Sequence, residues 1–241
     1  MKTTKNLSLL MLSFLLCCCT AIAKNEYGKK VTKEIPAKKF ATINLKGAAD
    51  VIYTQANDTR VSVTAPEKIM NLIEVSVSNN TLNISTEKLS KNGFYNENPS
   101  ITLTISSPTL TDILSAGSGD FTLKGTVVLN QLNAIYKGSG DFKTENLNCQ
   151  NLYLEFKGSG DAQLIGKASK ATFMIKGSGD IRALDFKVGS LIIDSKGSGD
   201  IKCNASEISI DSSGSGSVKY KGSSVIKKIS SRGSGNVEAI D

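Results

Sequence analysis

The tripeptide Gly-Ser-Gly occurs seven times in this 241-residue chain, from Gly117 onward, at intervals of 17 to 21 residues. In five copies the next residue is Asp; in the last two it is Ser217 and Asn236. A motif at a nearly fixed period indicates a small unit that stacks on its own copies. We therefore predict a series of structural corners, of which the five with Asp comprise Gly117, Gly119, Asp120; Gly138, Gly140, Asp141; Gly158, Gly160, Asp161; Gly177, Gly179, Asp180; and Gly197, Gly199, Asp200.

The residues on either side of each corner alternate between apolar and polar. Leu132, Ala134 and Tyr136 precede the corner at Gly138, and Phe142 follows it. This two-residue period is typical of β-strands. The predicted fold is all-β, a single-domain parallel β-helix or solenoid with coils of about 20 residues and Gly-Ser-Gly-Asp corners. A β-sandwich would explain the strands but not the recurrence of one corner.

Residues 39–116 lack the full corner motif but contain several alternating segments. We predict that they form irregular N-terminal coils, continuous with the repeats of residues 117–241, so that the solenoid spans 39–241. Gly47-Ala48-Ala49-Asp50 has the form of a degenerate corner, and Asn79-Asn80 is typical of a hairpin turn. Residues 87–99 are predicted to form an exposed loop.

The first 23 residues have the pattern of a secretory signal peptide. Lys2 and Lys5 precede an apolar run, and Ala21-Ile22-Ala23 gives a cleavage motif. We expect export, with cleavage after Ala23, to the periplasm, the outer-membrane surface or the exterior. A lipid anchor at Cys17–Cys19 is the less favoured alternative, because the preceding residues lack the small side chains of such sites. Residues 24–38, with five Lys, are predicted to be a flexible leader.

The composition excludes several classes of chemistry. The chain has no His, which removes the commonest general base and metal ligand and every Ser-His or Cys-His pair. Its formal charge of +7 becomes +5 without Lys2 and Lys5, and the Lys are dispersed, so nucleic-acid binding is not expected. Cys149 and Cys203 lie on different columns three coils apart, beyond disulfide reach, and are predicted to be free and mostly buried.

The column of corner aspartates is the strongest candidate for chemistry. Stacked carboxylates repel each other, and a cation such as Ca²⁺ would relieve that repulsion. However, Lys137, Lys157, Lys176 and Lys196 directly precede the first Gly of four corners. We predict that these lysines neutralise the column and that Asp also accepts corner N–H groups. No catalytic, cofactor-binding or metal-binding residue is therefore assigned.

Four apolar residues are predicted to face outward on successive coils: Ile135, Tyr153, Met174 and Ile192. If Leu132, Ala134 and Tyr136 face the core, the residues between them face solvent. Neighbouring apolar groups of this kind could form a patch for a partner or a second subunit. The alternative is a set of scattered surface residues or a patch under a covering loop.

Further motifs resemble a known family, the secreted bacterial proteins described as "putative auto-transporter adhesin, head GIN domain". These motifs are an opening segment with Phe40, Ile43, Leu45 and Gly47; Ile73-Glu74-Val75; Leu82 and Ile84; Pro108-Thr109-Leu110; the series of Gly-Ser-Gly corners; and Tyr220-Lys221-Gly222. The resemblance covers about residues 39–221. It implies an exported β-solenoid and brings no catalytic residues.

The favoured function is accordingly a non-enzymatic exported solenoid, an adhesin or surface scaffold. Its partner would be an unknown protein or polysaccharide at the cell envelope, and a homo-oligomer is compatible with the sequence. Two alternatives stay open: a carbohydrate-active β-helix enzyme, either lyase or hydrolase, and a periplasmic structural or regulatory module. A deep cleft with nonrepeated Asp, Lys or Arg would favour the enzyme.

Overall fold

The computed structural model describes residues 27–91 and 99–241. It is nearly all β, with 4% helix, and forms a solenoid of about six turns with coils about 20 residues apart. This confirms the predicted fold class. The predicted signal peptide and the three consecutive cysteines lie outside the described residues.

The strands follow the alternating segments of the sequence. They are β1 (Lys30–Ile35), β2 (Thr42–Gly47), β3 (Asp50–Gln55), β4 (Arg60–Pro66), β5 (Glu74–Ser78), β6 (Thr81–Ser85), β7 (Thr102–Ser107), β8 (Asp112–Gly117), β9 (Phe121–Gly138), β10 (Phe142–Gly158), β11 (Ala162–Gln163), β12 (Gly166–Ile175), β13 (Ile181–Ser195), β14 (Ile201–Ser212), β15 (Val218–Lys221), β16 (Val225–Ser231) and β17 (Val237–Ile240). A 3-10 helix spans Glu67–Leu72 and a short helix, α1, spans Glu87–Lys91.

In the repeat region every coil pairs in parallel with the next. The register aligns corner with corner, as in the pairing of Gly158 with Gly138. Inward columns therefore consist of equivalent apolar residues, and five successive members of one such column are buried: Ala134, Leu154, Phe173, Ile193 and Ile210. The continuous core is the sum of these columns, since no single coil could bury its own apolar face.

The N-terminal part joins the same stack, but its coils are not in chain order. Strands β2 and β3 flank Gly47-Ala48-Ala49-Asp50 and pair with β8 and β9, so this segment is indeed a corner of the solenoid. The next coil outward consists of β6 and β7, which come later in the sequence. Antiparallel β4 and β5 lie at the margins of this coil.

Two short-range predictions in this region have different outcomes. Asn79 and Asn80 have positive φ values of 49° and 60° and join antiparallel β5 to β6, which confirms the predicted hairpin. The prediction of a loop over 87–99 is wrong at its start, because Glu87–Lys91 is helical. Residues 92–98 lie outside the described part.

The predicted flexible leader over residues 24–38 also needs correction. Lys30–Ile35 forms β1, which pairs antiparallel with the whole of β4. The prediction was based on the lysines of this segment. Lysines are compatible with β1, however, because it is an edge strand with mostly exposed side chains. Its backbone is nevertheless ordered, because it pairs with the edge of β4. Charged side chains are common on edge strands such as β1.

The corner glycines are required by the close approach of successive coils. A Cβ on Gly138 would lie 2.0 Å from the carbonyl oxygen of Gly117, and one on Gly158 would lie 1.9 Å from that of Gly138. Positive φ is not the common reason, because Gly158 lacks it whereas Gly117 and Gly138 have it. Every corner glycine from Gly117 to Gly235 meets backbone in this way.

We predict that Gly158→Ala destabilises the protein by about 3 kcal/mol, since the added methyl group must push two coils apart. The matched control is Gly222→Ala, where the nearest atom to a Cβ lies 3.5 Å away. The control should change the free energy of unfolding by less than about 0.5 kcal/mol. Equal losses in chemical denaturation of both variants would contradict the close-approach argument.

One buried hydroxyl in the core has no partner. Tyr136 stacks on Phe156 at 4.9 Å between ring centroids and also contacts Phe142. Its OH is buried without a hydrogen bond among the described residues. Burial, with a smaller effect of the Asp120 charge, raises the pKa of Tyr136 well above its ordinary value. By contrast, the OH of Tyr53 contacts the carbonyl oxygen and Oγ of Ser107, both at 3.0 Å.

These two tyrosines give a matched test. Tyr136→Phe should leave the free energy of unfolding unchanged or raise it by up to about 1 kcal/mol, because it removes an unsatisfied polar group. Tyr53→Phe should lower it by about 0.5–1.5 kcal/mol, because it removes a buried hydrogen bond, while the carbonyl oxygen of Ser107 still accepts from the Ala56 N–H and its Oγ still donates to the Thr109 carbonyl. Urea denaturation measures both, and a loss in Tyr136→Phe as large as that in Tyr53→Phe would be the opposite result.

Candidate functional site

The corner aspartates form a hydrogen-bonded ladder along the solenoid. The backbone N–H of Asp141 donates to Oδ1 of Asp120 at 3.0 Å, and that of Asp161 donates to Oδ1 of Asp141 at 3.0 Å. The same contact continues through Asp180 and Asp200 at 2.9 Å each. It begins at Asp50, on the degenerate corner, and ends at the N–H of Ser217. One carboxylate oxygen of each Asp therefore accepts the backbone N–H of the equivalent residue on the next coil.

The other carboxylate oxygens of four of these aspartates contact cations that follow the corner. Lys143 Nζ lies 3.2 Å from Asp141 and 3.6 Å from Asp120, and the hydrogen bond to Asp141 is the main reason why the pKa of Lys143 is raised. Arg182 lies 2.9 Å from Asp161 and 3.2 Å from Asp180. Both cations lie two residues after a corner Asp, on the same side of their strand.

The predicted neutralisation by the lysines that precede the corner is therefore wrong in its partners. Lys157 and Lys176 contact Glu155, at 2.8 and 3.4 Å, and Lys196 contacts Asp194 at 3.1 Å. These lysines lie on the strands before the corner, where their neighbours are the outward side chains of those strands. No group of three or more Cys, Asp or Glu within residues 27–91 and 99–241 is arranged to hold a metal ion.

The ladder predicts different effects for two substitutions of Asp161. Asp161→Ala removes the acceptor of the Asp180 N–H and should cost about 1–3 kcal/mol in thermal or urea unfolding. Asp161→Asn keeps an oxygen at that position and should cost about 1 kcal/mol or less. Addition of Ca²⁺ to the wild-type protein should leave the melting temperature unchanged, and a clear rise would indicate a cation site instead.

The structure brings the four predicted patch residues to the outer side of one sheet. Ile135 and Met174 lie in one column with Glu155 between them, and Tyr153 and Ile192 lie in the adjacent column with Thr172 between them. Ile192 is 52% exposed, and the other three side chains are partly exposed. We call Ile135, Tyr153, Met174 and Ile192 the outer patch.

Glu155, which the sequence analysis did not single out, organises the centre of this patch. Its carboxylate is almost completely covered, contacts Lys157 and Lys176, and accepts a hydrogen bond from Tyr153 OH at 3.2 Å. Burial alone would raise the pKa of Glu155, but the hydrogen bonds from Lys157 and Tyr153 hold it below its ordinary value. Glu155 is therefore ionised at neutral pH and does not have the raised pKa of a general acid.

Contacts with Glu155 and Met174 hold the ring of Tyr153 in place on the outer surface. Its OH contacts Glu155 and also lies 3.5 Å from Sδ of Met174. Burial and the Glu155 charge raise the pKa of Tyr153, so the phenol stays protonated. The sequence clue to this cluster was the spacing of Tyr153, Glu155 and Lys157, which puts three outward side chains side by side on one strand.

A shallow depression of about 310 Å³ lies beside Tyr153. Four successive coils line it with five amide or hydroxyl side chains, one lysine, two apolar residues and two members of the outer patch: Gln131, Asn133, Asn151, Thr172, Ser190; Lys170; Leu152, Ala171; and Tyr153, Ile192. Such a surface offers hydrogen-bond donors and acceptors around an aromatic ring and an aliphatic group. It can bind a ligand by contact and hydrogen bonding.

The two cysteines of the described residues are buried and free, which confirms the sequence prediction. Burial raises the pKa of Cys149 to about 11 and that of Cys203 to about 12. Both thiols are therefore protonated at neutral pH and are poor nucleophiles. They belong to the core columns, not to a site.

With this geometry established, comparison with known proteins identifies the family. The family model described as "Putative auto-transporter adhesin, head GIN domain" matches residues 39–224, so the chain belongs to this family. This confirms the resemblance read from the sequence. No protein with a curated description matches the chain.

Solved structures give the same result. A protein from Bacteroides fragilis titled a putative adhesin is 33% identical, with 88% of this chain and 97% of that chain covered and a TM-score of 0.81. One from Parabacteroides distasonis, titled a putative lipid binding protein, is 27% identical, with coverage of 89% and 98% and a TM-score of 0.70. A further putative adhesin from Parabacteroides distasonis, 21% identical over 88% of this chain and 98% of that chain with a TM-score of 0.67, shares the fold.

No helix within the described residues is long and apolar enough to cross a membrane. The adhesin-like family suggests an exported protein.

Proposed function

We propose that the protein is an exported, non-enzymatic adhesin or surface scaffold that binds a partner at the cell envelope through the outer patch. The observation that carries this proposal is the fixed ring of Tyr153 among the partly exposed Ile135, Met174 and Ile192. A ring already held in place loses little conformational entropy when a partner packs on it. Membership of the adhesin family supports the same reading.

The polar surroundings of the patch favour a polysaccharide as the partner. The depression next to Tyr153 is lined by amide and hydroxyl groups from successive coils. In one column, the polar residues Gln131, Asn151, Lys170 and Ser190 follow one another at the spacing of the coils, about 4.8 Å. An extended chain of repeating units, with many hydroxyl groups, can use such a row of donors and acceptors along its length.

A lipid surface is the second candidate. One structural neighbour is titled a putative lipid binding protein. In this chain, the apolar side chains of the outer patch lie beside Lys157 and Lys176, and apolar groups flanked by cations suit an anionic headgroup region.

The test compares binding of the purified protein to envelope polysaccharide and to vesicles of phosphatidylglycerol. The double variant Ile135→Asp/Met174→Asp should weaken binding at least tenfold, because it puts two charges into the contact surface. The control is Val128→Asp, at a position that is 59% exposed and outside the outer patch. It should bind like the wild type.

The outcomes distinguish the candidates. Binding to polysaccharide alone supports the adhesin reading, and binding to vesicles alone supports the lipid surface. Equal binding by the double variant and by the wild type, with both folded by circular dichroism, would remove the outer patch from the function. Labelling of the protein on intact cells with a membrane-impermeant reagent tests export to the surface.

A further inference from the structure

The coils of the repeat region contain a second bend, midway between successive corners. At this bend two successive exposed residues interrupt the alternation of buried and exposed side chains, as Gln150 and Asn151 do between Cys149 and Leu152. We call the equivalent segments of four successive coils the polar bend: residues 128–133, 148–153, 167–172 and 187–192. Amide, hydroxyl and lysine side chains make up most of its outward surface.

The polar bend carries a positive charge. Its four segments contain Lys167, Lys170 and Lys187 but no Asp or Glu. Lys167 and Lys187 lie side by side on adjacent coils, and Lys170 follows Lys167 around the bend. Like charges directly opposite each other on neighbouring strands destabilise a sheet. The pair Lys167 and Lys187 therefore opposes folding, and an anion between the two ammonium groups would relieve their repulsion.

The protein itself supplies no such anion within residues 27–91 and 99–241. All three lysines of the bend are exposed, and none has a carboxylate within ion-pair distance, whereas the cations that follow the corners contact aspartates. Glu207, in register with Ser190 on the next coil, contacts Lys227 at 3.0 Å. Asp185, two residues before Lys187, is exposed and makes no ion pair with it.

A depression lies on each side of the polar bend. The one beside Tyr153 includes Lys170. A second depression, of about 410 Å³, lies on the other side and includes Lys167. The remaining polar side chains of its lining are Asn130, Asn148, Gln150 and Ser169, and four apolar residues complete it. Each depression therefore combines several neutral hydrogen-bonding groups with one ammonium group.

We propose that the polar bend binds an acidic polysaccharide, with carboxylates of the ligand at Lys170 on one side of the bend and at Lys167 and Lys187 on the other. This inference rests on the proposed function and names the class of polysaccharide. The hydroxyl groups of the sugar units pair with the amides of both depressions, and the carboxylates pair with the lysines. A lipid surface suits the bend less well, because lipid binding needs an apolar face and most outward side chains of the bend are polar.

The experiment is calorimetric titration of the purified protein with polygalacturonate and with its methyl ester. The two polymers share one backbone and differ in the charge of their carboxyl groups. The wild-type protein should bind polygalacturonate at least tenfold more tightly than the ester. An increase in salt from about 0.1 to 1 M should weaken the binding of polygalacturonate alone, because the Debye length falls from about 10 to 3 Å.

The triple variant Lys167→Gln/Lys170→Gln/Lys187→Gln tests the residues. It should bind polygalacturonate at least tenfold more weakly than the wild type and bind the ester as the wild type does. Its melting temperature should be unchanged or slightly higher, since the substitutions remove like charges from adjacent coils.

The matched control is Lys33→Gln/Lys124→Gln/Lys202→Gln, which removes the same charge from exposed lysines that line neither depression. It should bind both polymers like the wild type. Equal binding of polymer and ester, or an equal loss in both triple variants, would overturn this inference and leave the proposed function to the Ile135→Asp/Met174→Asp test. Binding to phosphatidylglycerol vesicles but to neither polymer would also overturn it and assign the lysines to a lipid surface. Binding to neither polymer nor vesicles overturns it as well, and if envelope polysaccharide is not bound either, the proposed function fails with it.

Discussion

The contact between glycine backbones of successive coils is the constraint on which the rest of this solenoid depends. At each corner, the space that a Cβ would occupy is filled by a carbonyl oxygen of the preceding coil, about 2 Å away at Gly138 and Gly160. Because no side chain fits there, the corners stack at the spacing of β-strands. Because the corners are aligned, the strands between them are aligned as well, and each buried residue lies directly over the equivalent residue of the next coil. The fold follows from repetition of one close approach rather than from any single strong interaction.

The same register explains why aspartate follows the glycines. A stacked column of carboxylates would be unfavourable if each group only faced its neighbours. Here one oxygen of Asp141 accepts the N–H of Asp161, so the carboxylate replaces a backbone acceptor where the chain turns. The remaining charge is partly compensated by Lys143 and Arg182, each of which contacts two aspartates. One cation can contact two carboxylates because the coils are close together.

The sequence predicted those features that repeat. The corners, the inward columns and the outward direction of Tyr153 follow from a two-residue period counted from Gly-Ser-Gly. The order of the N-terminal coils could not be predicted, since β6 and β7 alternate like any other strands and only tertiary pairing puts them outside β2 and β3. The partners of Lys157 and Lys176 were missed for a related reason. Distance along the chain suggested Asp161 for Lys157 and Asp180 for Lys176, whereas the stacking of strands brings both lysines to Glu155.

The two ends of the described solenoid differ in how their apolar columns are covered. At the N-terminal end, antiparallel strands flank the outermost coil, and Ile69 and Leu89, from the two helical turns, are buried in the core. The departure from chain order thus has a physical purpose, because it covers columns that would otherwise end in solvent. At the other end, the described chain adds no such cover, and Ile226 and Ile229 stay open. A repeat whose cohesion comes from pairing each coil with an identical neighbour is self-complementary along its axis. Among the described residues, the first coil is therefore covered by strands that depart from the repeat, whereas the last coil, β16 and β17, keeps the parallel pairing of the repeat.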